Sequence, residues 1–194
     1  MANYADVTLR IYGEGANKLN HRFGSMVSSL SAEYMVKELK NDFTDESKLE
    51  LIDEFLKNGD KRFDFIVFNS DDDFIELAGQ SAWSEPYDFI RLISDLYDTL
   101  IYHLVYEPSC EIYQTNDIDG TIFGDYAYKY ALDCDGNYGP ISEDALIAEA
   151  EDYYESDFFD ADDVWEYYSN ALDPHEHEDD DKYFYLLKLE RVVY

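Results

Sequence analysis

Basic residues are nearly missing from the last two thirds of this 194-residue sequence. Residues 63–194 hold 5 Lys+Arg against 34 Asp+Glu, a net of −29, and residues 141–181 hold no Lys or Arg at all. Residues 1–62 are ordinary by comparison, with 9 basic and 11 acidic residues, a net of −2. The shortage argues against direct binding of nucleic acid or of an anionic membrane, because most of the chain would repel phosphate. Other absences narrow the class further. No apolar run approaches the about 18 residues that a membrane-spanning helix needs. The opening Met-Ala-Asn-Tyr-Ala-Asp lacks the basic stretch and apolar core of a signal peptide, so a cytoplasmic location is expected. Two cysteines, Cys110 and Cys134, make no disulfide framework and are expected to be reduced thiols. No glycine-rich loop ends in a phosphate-cradling lysine. Ser81 and Ser84, which flank Trp83, lack the glycines of a nucleophile elbow. Carboxylates are so frequent that no pair of them marks acid–base catalysis. Neither an enzymatic activity nor a cofactor is read from the sequence.

What is present is an unusual number of aromatics. The chain is 17% aromatic, with 19 Tyr and 12 Phe. Acidic chains that stay disordered are poor in such residues. The composition therefore predicts a folded protein with a core and an acidic skin, in which tyrosine sits at the boundary with its ring inside and its hydroxyl wet. The length fits one domain, or one domain with an elaboration.

The order of elements follows from periodicity and punctuation. Val7–Tyr12 alternates like a strand and Gly13 and Gly15 end it. Part of Ala16–Leu30 is expected to be helical. Ser31 is placed to cap a helix over Ala32–Asp42 with Tyr34, Met35, Val36 and Leu39 inside. Asp45 is placed to cap another over Glu46–Lys57, stopped by Gly59. Phe63–Phe68 and Phe74–Gly79 read as strands joined by a turn at Asn69–Asp73. Pro86 opens a helix that runs to about Tyr97. Leu100–Tyr106, Glu111–Gln114 and Thr121–Asp133 read as strands, and Ile141 to about Asp173 returns to helical spacing. Tyr183–Tyr194 alternates as a closing strand.

This order is α+β, a split β-α-β-β-α-β arrangement of the ferredoxin-like kind with added strands and an acidic helical elaboration. The expected division is a core over 1–136, an acidic helical insertion over 137–181, and a strand over 182–194 that returns to the core. Asn3-Tyr4, the segment Gln80-Ser81-Ala82-Trp83-Ser84-Glu85-Pro86, Phe89, Leu92–Tyr97 and Tyr106-Glu107-Pro108 resemble the YubB-like ferredoxin-like family of plasmid and phage proteins. The resemblance spans about residues 3–135. Where that family has a glycine-rich segment after Glu-Pro, this chain has Ser109-Cys110-Glu111-Ile112. The resemblance implies a fold and a mobile-element context, and no catalytic residue.

Two segments carry metal-like chemistry. Asp133–Asp144 has carboxylates at the first and third positions of a calcium loop, but Tyr138 stands where the sharp turn needs glycine, and the final ligand is Asp rather than Glu. It is read as a strand-to-helix turn. His175-Glu176-His177 beside Asp179–Asp181 pairs two imidazoles, and a solvated loop is the expected role because no third fixed ligand is evident. His103, alone in its strand, is expected to be a core residue. No metal site is assigned.

The acidic helical stretch carries the functional signal. Like charges one helical turn apart destabilise a helix by a few tenths of a kcal/mol. Asp152 with Glu155 and Asp160 with Asp163 repeat that cost with no basic compensation. Such rows can imitate a phosphate backbone. The sequence-level expectation is thus a nucleic-acid mimic of the anti-CRISPR or anti-restriction kind, a non-enzymatic inhibitor in the host cytoplasm. Its partner would be a basic nucleic-acid-binding host protein. The expected contact residues are Glu149, Glu151, Asp152, Glu155, Asp160, Asp162, Asp163 and Glu166, with Tyr153, Tyr154 and Trp165 as aromatic anchors. Adaptation to high salt and a merely acidic surface are competing explanations. The rival class is a small ferredoxin-like enzyme or ligand-binding domain, with a cleft near Trp83, His103 and the tyrosines of 126–130. Clustering further predicts carboxylates that hold their protons more tightly in the folded chain.

Overall fold

The computed structural model describes residues 4–107, 110, 112–130, 139–171 and 185–193. They are α+β and form two compact units, Met1–Ile118 with Arg191–Tyr194, and Asp119–Glu190.

In the first unit the alternation of β1 (Tyr4–Tyr12) sends Ala5, Val7, Leu9 and Ile11 to one face, where all four are buried. α1 (Glu14–Phe23) follows, then the short β2 (Leu30–Ser31). The Ser31 hydroxyl caps α2 (Ala32–Leu39) by accepting from the Tyr34 amide at 3.4 Å. Met35, Val36 and Leu39 face inward, whereas Tyr34 is exposed, contrary to its expected place on the apolar face. Its position two residues into the helix puts it a full half-turn from Val36. After a single 3-10 turn, Asp45 caps α3 (Glu46–Asn58), accepting from the Ser47 amide at 2.9 Å, and Gly59 ends it. β3 (Phe63–Ser70) and β4 (Phe74–Ala82) make a hairpin whose turn is tied by Asp71 Oδ1, which accepts from the amides of Asp73 and Phe74. Pro86 sits at the N-cap of α4 (Tyr87–Tyr97), and its carbonyl accepts from Ile90 at 3.0 Å. β5 (Leu100–Glu107) and β6 (Ile112–Thr115) complete the run.

These strands, joined by β10 (Glu190–Arg191), form a seven-stranded sheet in the order β10-β6-β5-β1-β4-β3-β2. β1 lies between β4 and β5 and pairs antiparallel with both, with Leu9 opposite Leu77 and His103. One core unites the inward strand residues with Leu19, Phe23, Met35, Ile52, Phe89, Ile93 and Leu96 of the helices. Gly79 of β4 runs so close to β3 that a Cβ there would stand 1.9 Å from the Asp64 carbonyl. The opposite sheet face is aromatic and polar: Arg10 pairs with Glu76 and lies 5.0 Å over the Phe74 ring, and Tyr12 meets Phe74 and Tyr102.

The second unit is built on a three-stranded sheet, β8-β7-β9. β7 (Ala127–Tyr130) is central, between β8 (Gly139–Ile141) and β9 (Tyr185–Lys188). Ser142 caps α5 (Glu143–Tyr154), and α6 (Ala161–Ala171) follows. Ala127, Ile141, Leu146, Ala150, Ala161, Val164 and Leu186 form its core, bordered by Tyr126, Ile147, Phe158 and Trp165.

Two sequence expectations change here. Of the strand expected over Thr121–Asp133, residues 127–130 are extended, and residues 121–126 are not a strand. The closing strand over 182–194 divides at Leu189, whose amide bonds the Tyr126 carbonyl at 2.9 Å. β9 before it belongs to the small sheet and β10 after it to the large one. The pairing of Ala127 with Lys188 and of Tyr128 with Leu187 joins β7 to β9 within the second unit, Asp119–Glu190. The segments 131–138, which holds the first half of the calcium-like loop, and 172–184, which holds His175 and His177, lie outside the described residues.

Candidate partner-binding surface

The second unit concentrates the charge. Residues 119–190 carry 22 Asp+Glu and 3 Lys, a net of −19. The expected contact acids fall on α5, α6 and the turn between them, so one helical hairpin brings them together. They divide by what they do locally.

Three of them build the hairpin. Asp160 caps α6 by accepting from the Asp163 amide at 2.9 Å. Asp163 Oδ2 accepts from the Phe159 amide at 3.2 Å, and Glu151 Oε1 accepts from the Phe158 amide at 3.3 Å. Asp162 is engaged at longer range. Its Oδ1 accepts from the Tyr126 hydroxyl and from Lys188 Nζ, both at 2.7 Å. The Lys188 ammonium also lies 5.1 Å over the Tyr126 ring and 6.0 Å over the Trp165 ring. Trp165, expected to be an anchor, is half-buried against the core and under this lysine. Glu149 is half-buried and engaged.

Asp152, Glu155 and Glu166 point outward. Two of these sit where local energetics oppose an acid. A helix C-terminus carries partial negative charge, and α5 ends in Asp152, Tyr153, Tyr154 and Glu155 with no basic residue in its last turn. Glu155 also adopts φ 53° and ψ 38°, the left-handed conformation that usually takes glycine. The acids at the start of α6 lie at a helix N-terminus, where they stabilise. Local folding thus accounts for Asp160, Asp162 and Asp163 and leaves Asp152 and Glu155 unexplained. Tyr153 and Tyr154 close α5, and their side chains lie outside the description.

The expectation of tightly held protons is corrected at Asp162. Hydrogen bonds from Lys188 and then Tyr126 hold its carboxyl below the usual range. Glu33, Asp45 and Asp60 move in the same direction, through Lys37, Ser47 and Arg62 respectively. A donor in contact outweighs like charges a helical turn away, which water screens. Tyr126 is shifted up, by burial first and then by its bond to Asp162.

One exposed residue escaped the sequence analysis. Phe159, in the turn between α5 and α6, is 91% exposed. In sequence it is half of a Phe-Phe pair, which reads as core, and only the turn geometry separates the inward Phe158 from the outward Phe159.

The residues of the rival cleft do not share one unit. Trp83 and His103 belong to the first and Tyr126–Tyr130 to the second. His103 is buried on β5, its amide bonded to Asn116 Oδ1 at 2.8 Å, and burial pushes its pKa down, outweighing the upward pull of the Glu85 charge. Trp83 is exposed and holds φ 76°, an unusual conformation for a bulky side chain. An open cleft of about 380 Å³ lies between α3 and α4, lined by Leu51, Phe55, Leu92, Glu54, Asp88 and Arg91. Among the described residues no three His, Cys, Asp or Glu side chains gather as metal ligands, and no helix is long and apolar enough to cross a membrane.

No protein family matches the sequence, and searches of curated proteins and of solved structures likewise return no match.

Proposed function

We propose that this chain is an acidic nucleic-acid mimic. It occupies the basic groove of a host nucleic-acid-binding protein, a defence nuclease of the kind that anti-CRISPR or anti-restriction inhibitors block, in the cytoplasm of the host cell. The single observation that carries this is the helical hairpin of α5 and α6, which spans a stretch with no Lys or Arg and holds outward carboxylates at Asp152, Glu155, Asp157, Asp163 and Glu166. Side chains one helical turn apart have Cβ atoms about 5–6 Å from each other, so the acids of the hairpin form a dense row of negative charge, as the phosphates of a strand do at a rise of about 3.4 Å. Caps and turn bonds give the array a fixed backbone, so little ordering cost is added on binding.

To the first unit we assign a ferredoxin-like core related to the YubB-like proteins. The order β5-β1-β4-β3, with α1–α3 and α4 as the two helical connections, supports that assignment. A second function, a ligand-binding or enzymatic site on the first unit, is favoured by one observation, the strained and exposed Trp83. A small molecule that copurifies with the first unit would favour it.

The test is a pull-down from host lysate with the full chain as bait, with and without nuclease treatment. The expected result is a basic protein whose capture is competed by DNA or RNA and whose affinity falls steeply between about 50 and 300 mM salt. Affinity indifferent to salt, or capture that nucleic acid does not compete, refutes mimicry.

A further inference from the structure

We propose that Phe159 is the apolar anchor of this surface, and that the partner presents an apolar pocket rimmed by Lys and Arg. The inference rests on the function proposed above and adds the chemistry of the partner's contact point.

Three observations converge on it. The ring is left in water at the tip of the hairpin, at 91% exposure, while the adjacent Phe158 is packed into the core border and set edge-on to Tyr167 at 5.5 Å. The backbone beneath it is fixed. The Phe159 amide is held by Asp163, the Phe158 amide by Glu151, and the start of α6 by Asp160. The ring therefore projects from an ordered turn, and presenting it to a partner costs little further loss of freedom. In the segment from Glu155 to Asp163 the exposed side chains other than Phe159 are Glu155, Asp157, Asp162 and Asp163, all acidic, and of these Asp162 is paired with a cation, Lys188.

Charge selects the occupant. A nucleic acid is repelled, and a second copy of this chain meets the same negative surface. A basic protein surface is complementary, and an aromatic at the centre of a ring of polar contacts is the usual form of a binding hot spot. Salt-screened carboxylates supply approach and register, and the buried ring supplies residence time. Full burial of a phenylalanine corresponds to about a tenfold to a hundredfold gain in affinity.

The test uses the full chain and two synthetic helical peptides of equal Lys/Arg content, one with a leucine face and the other with glutamine in its place. Affinities are measured by calorimetry at about 20 mM salt for the wild type, Phe159→Ala and Phe159→Leu. The wild type is expected to prefer the leucine-faced peptide by about tenfold or more. Phe159→Ala should erase that preference without changing the melting midpoint or the salt dependence, and Phe159→Leu should restore most of it. If both peptides bind the wild type equally, or Phe159→Ala keeps the preference, the anchor is wrong while charge recognition stands. If neither peptide binds, charge recognition fails and the anchor fails with it.

Discussion

Replacing Glu155 by glycine should make the second unit more stable. Two penalties are removed. A left-handed conformation costs an L-residue about 1 kcal/mol or more, and glycine adopts it without a Cβ clash. A negative side chain at a helix C-terminus costs roughly 0.3–1 kcal/mol at low salt. Against these stands the greater freedom of glycine in the unfolded chain, about 0.4–1 kcal/mol. The net expected gain is about 1 kcal/mol, which for a unit of this size is a rise of roughly 4–8 °C in midpoint. Trp83 and Trp165 are the two tryptophans, one in each unit, so a Trp83→Phe background reports the second unit alone. Urea melts followed by Trp165 fluorescence should rank Glu155→Gly above Glu155→Asn, and Glu155→Gln only slightly above the parent, because glutamine removes the charge and keeps the backbone strain. A lower midpoint for Glu155→Gly would show that the carboxylate makes a stabilising contact, and the claim that local energetics oppose it would be lost. If the rank holds and the glycine variant also binds the captured partner more weakly, the residue trades stability for recognition.

Two further predictions concern the first unit and the pH response. Gly79→Ala should unfold or severely destabilise the first unit, by about 3 kcal/mol or more, because its Cβ meets backbone rather than a movable side chain; a loss under about 1 kcal/mol in a denaturant melt would contradict the close approach of β3 and β4. Stability should fall on acidification from pH 7 toward 4. His103 has a depressed folded pKa, so below about pH 6.5 the unfolded chain takes up a proton that the folded chain refuses, and Asp45, Asp60 and Asp162 lose their contribution as the pH drops further. A His103→Gln variant should flatten the first part of that slope in pH-dependent melts, and an unchanged slope would assign it to other groups.

Much of the fold was legible because single residues fix it locally. Ser31, Asp45 and Gly59 act as caps and stop where their chemistry placed them, and the alternation of β1 set its buried face. Pairing over distance was less legible. Tyr183–Tyr194 alternates throughout, yet the chain leaves one sheet and enters another at Leu189, which periodicity does not encode. The same holds for the acids. Sequence spacing marked the charged hairpin, but it did not separate Asp160, a cap, and Asp162, paired with Lys188 from far along the chain, from the outward Asp152 and Glu155. Those distinctions arise from hydrogen bonds made once the hairpin is folded.

The route of the chain through Leu189 also has a consequence for assembly. Strand β6 is made long before β10, with the whole acidic unit between them, so the outer edge of the large sheet stays open during synthesis until residues 190–191 emerge. The ends of the intervening unit are clasped together by Arg191, which donates to the Asp117 carbonyl, and by the Val192 amide, which bonds Thr115 at 2.8 Å. If the acidic unit collapses first, the loop that this clasp must close becomes short in effect, and its entropic cost falls. The acidic unit would then act as a timer: its own folding brings the last strand to the waiting edge, and a chain in which it fails to fold leaves that edge available to neighbours.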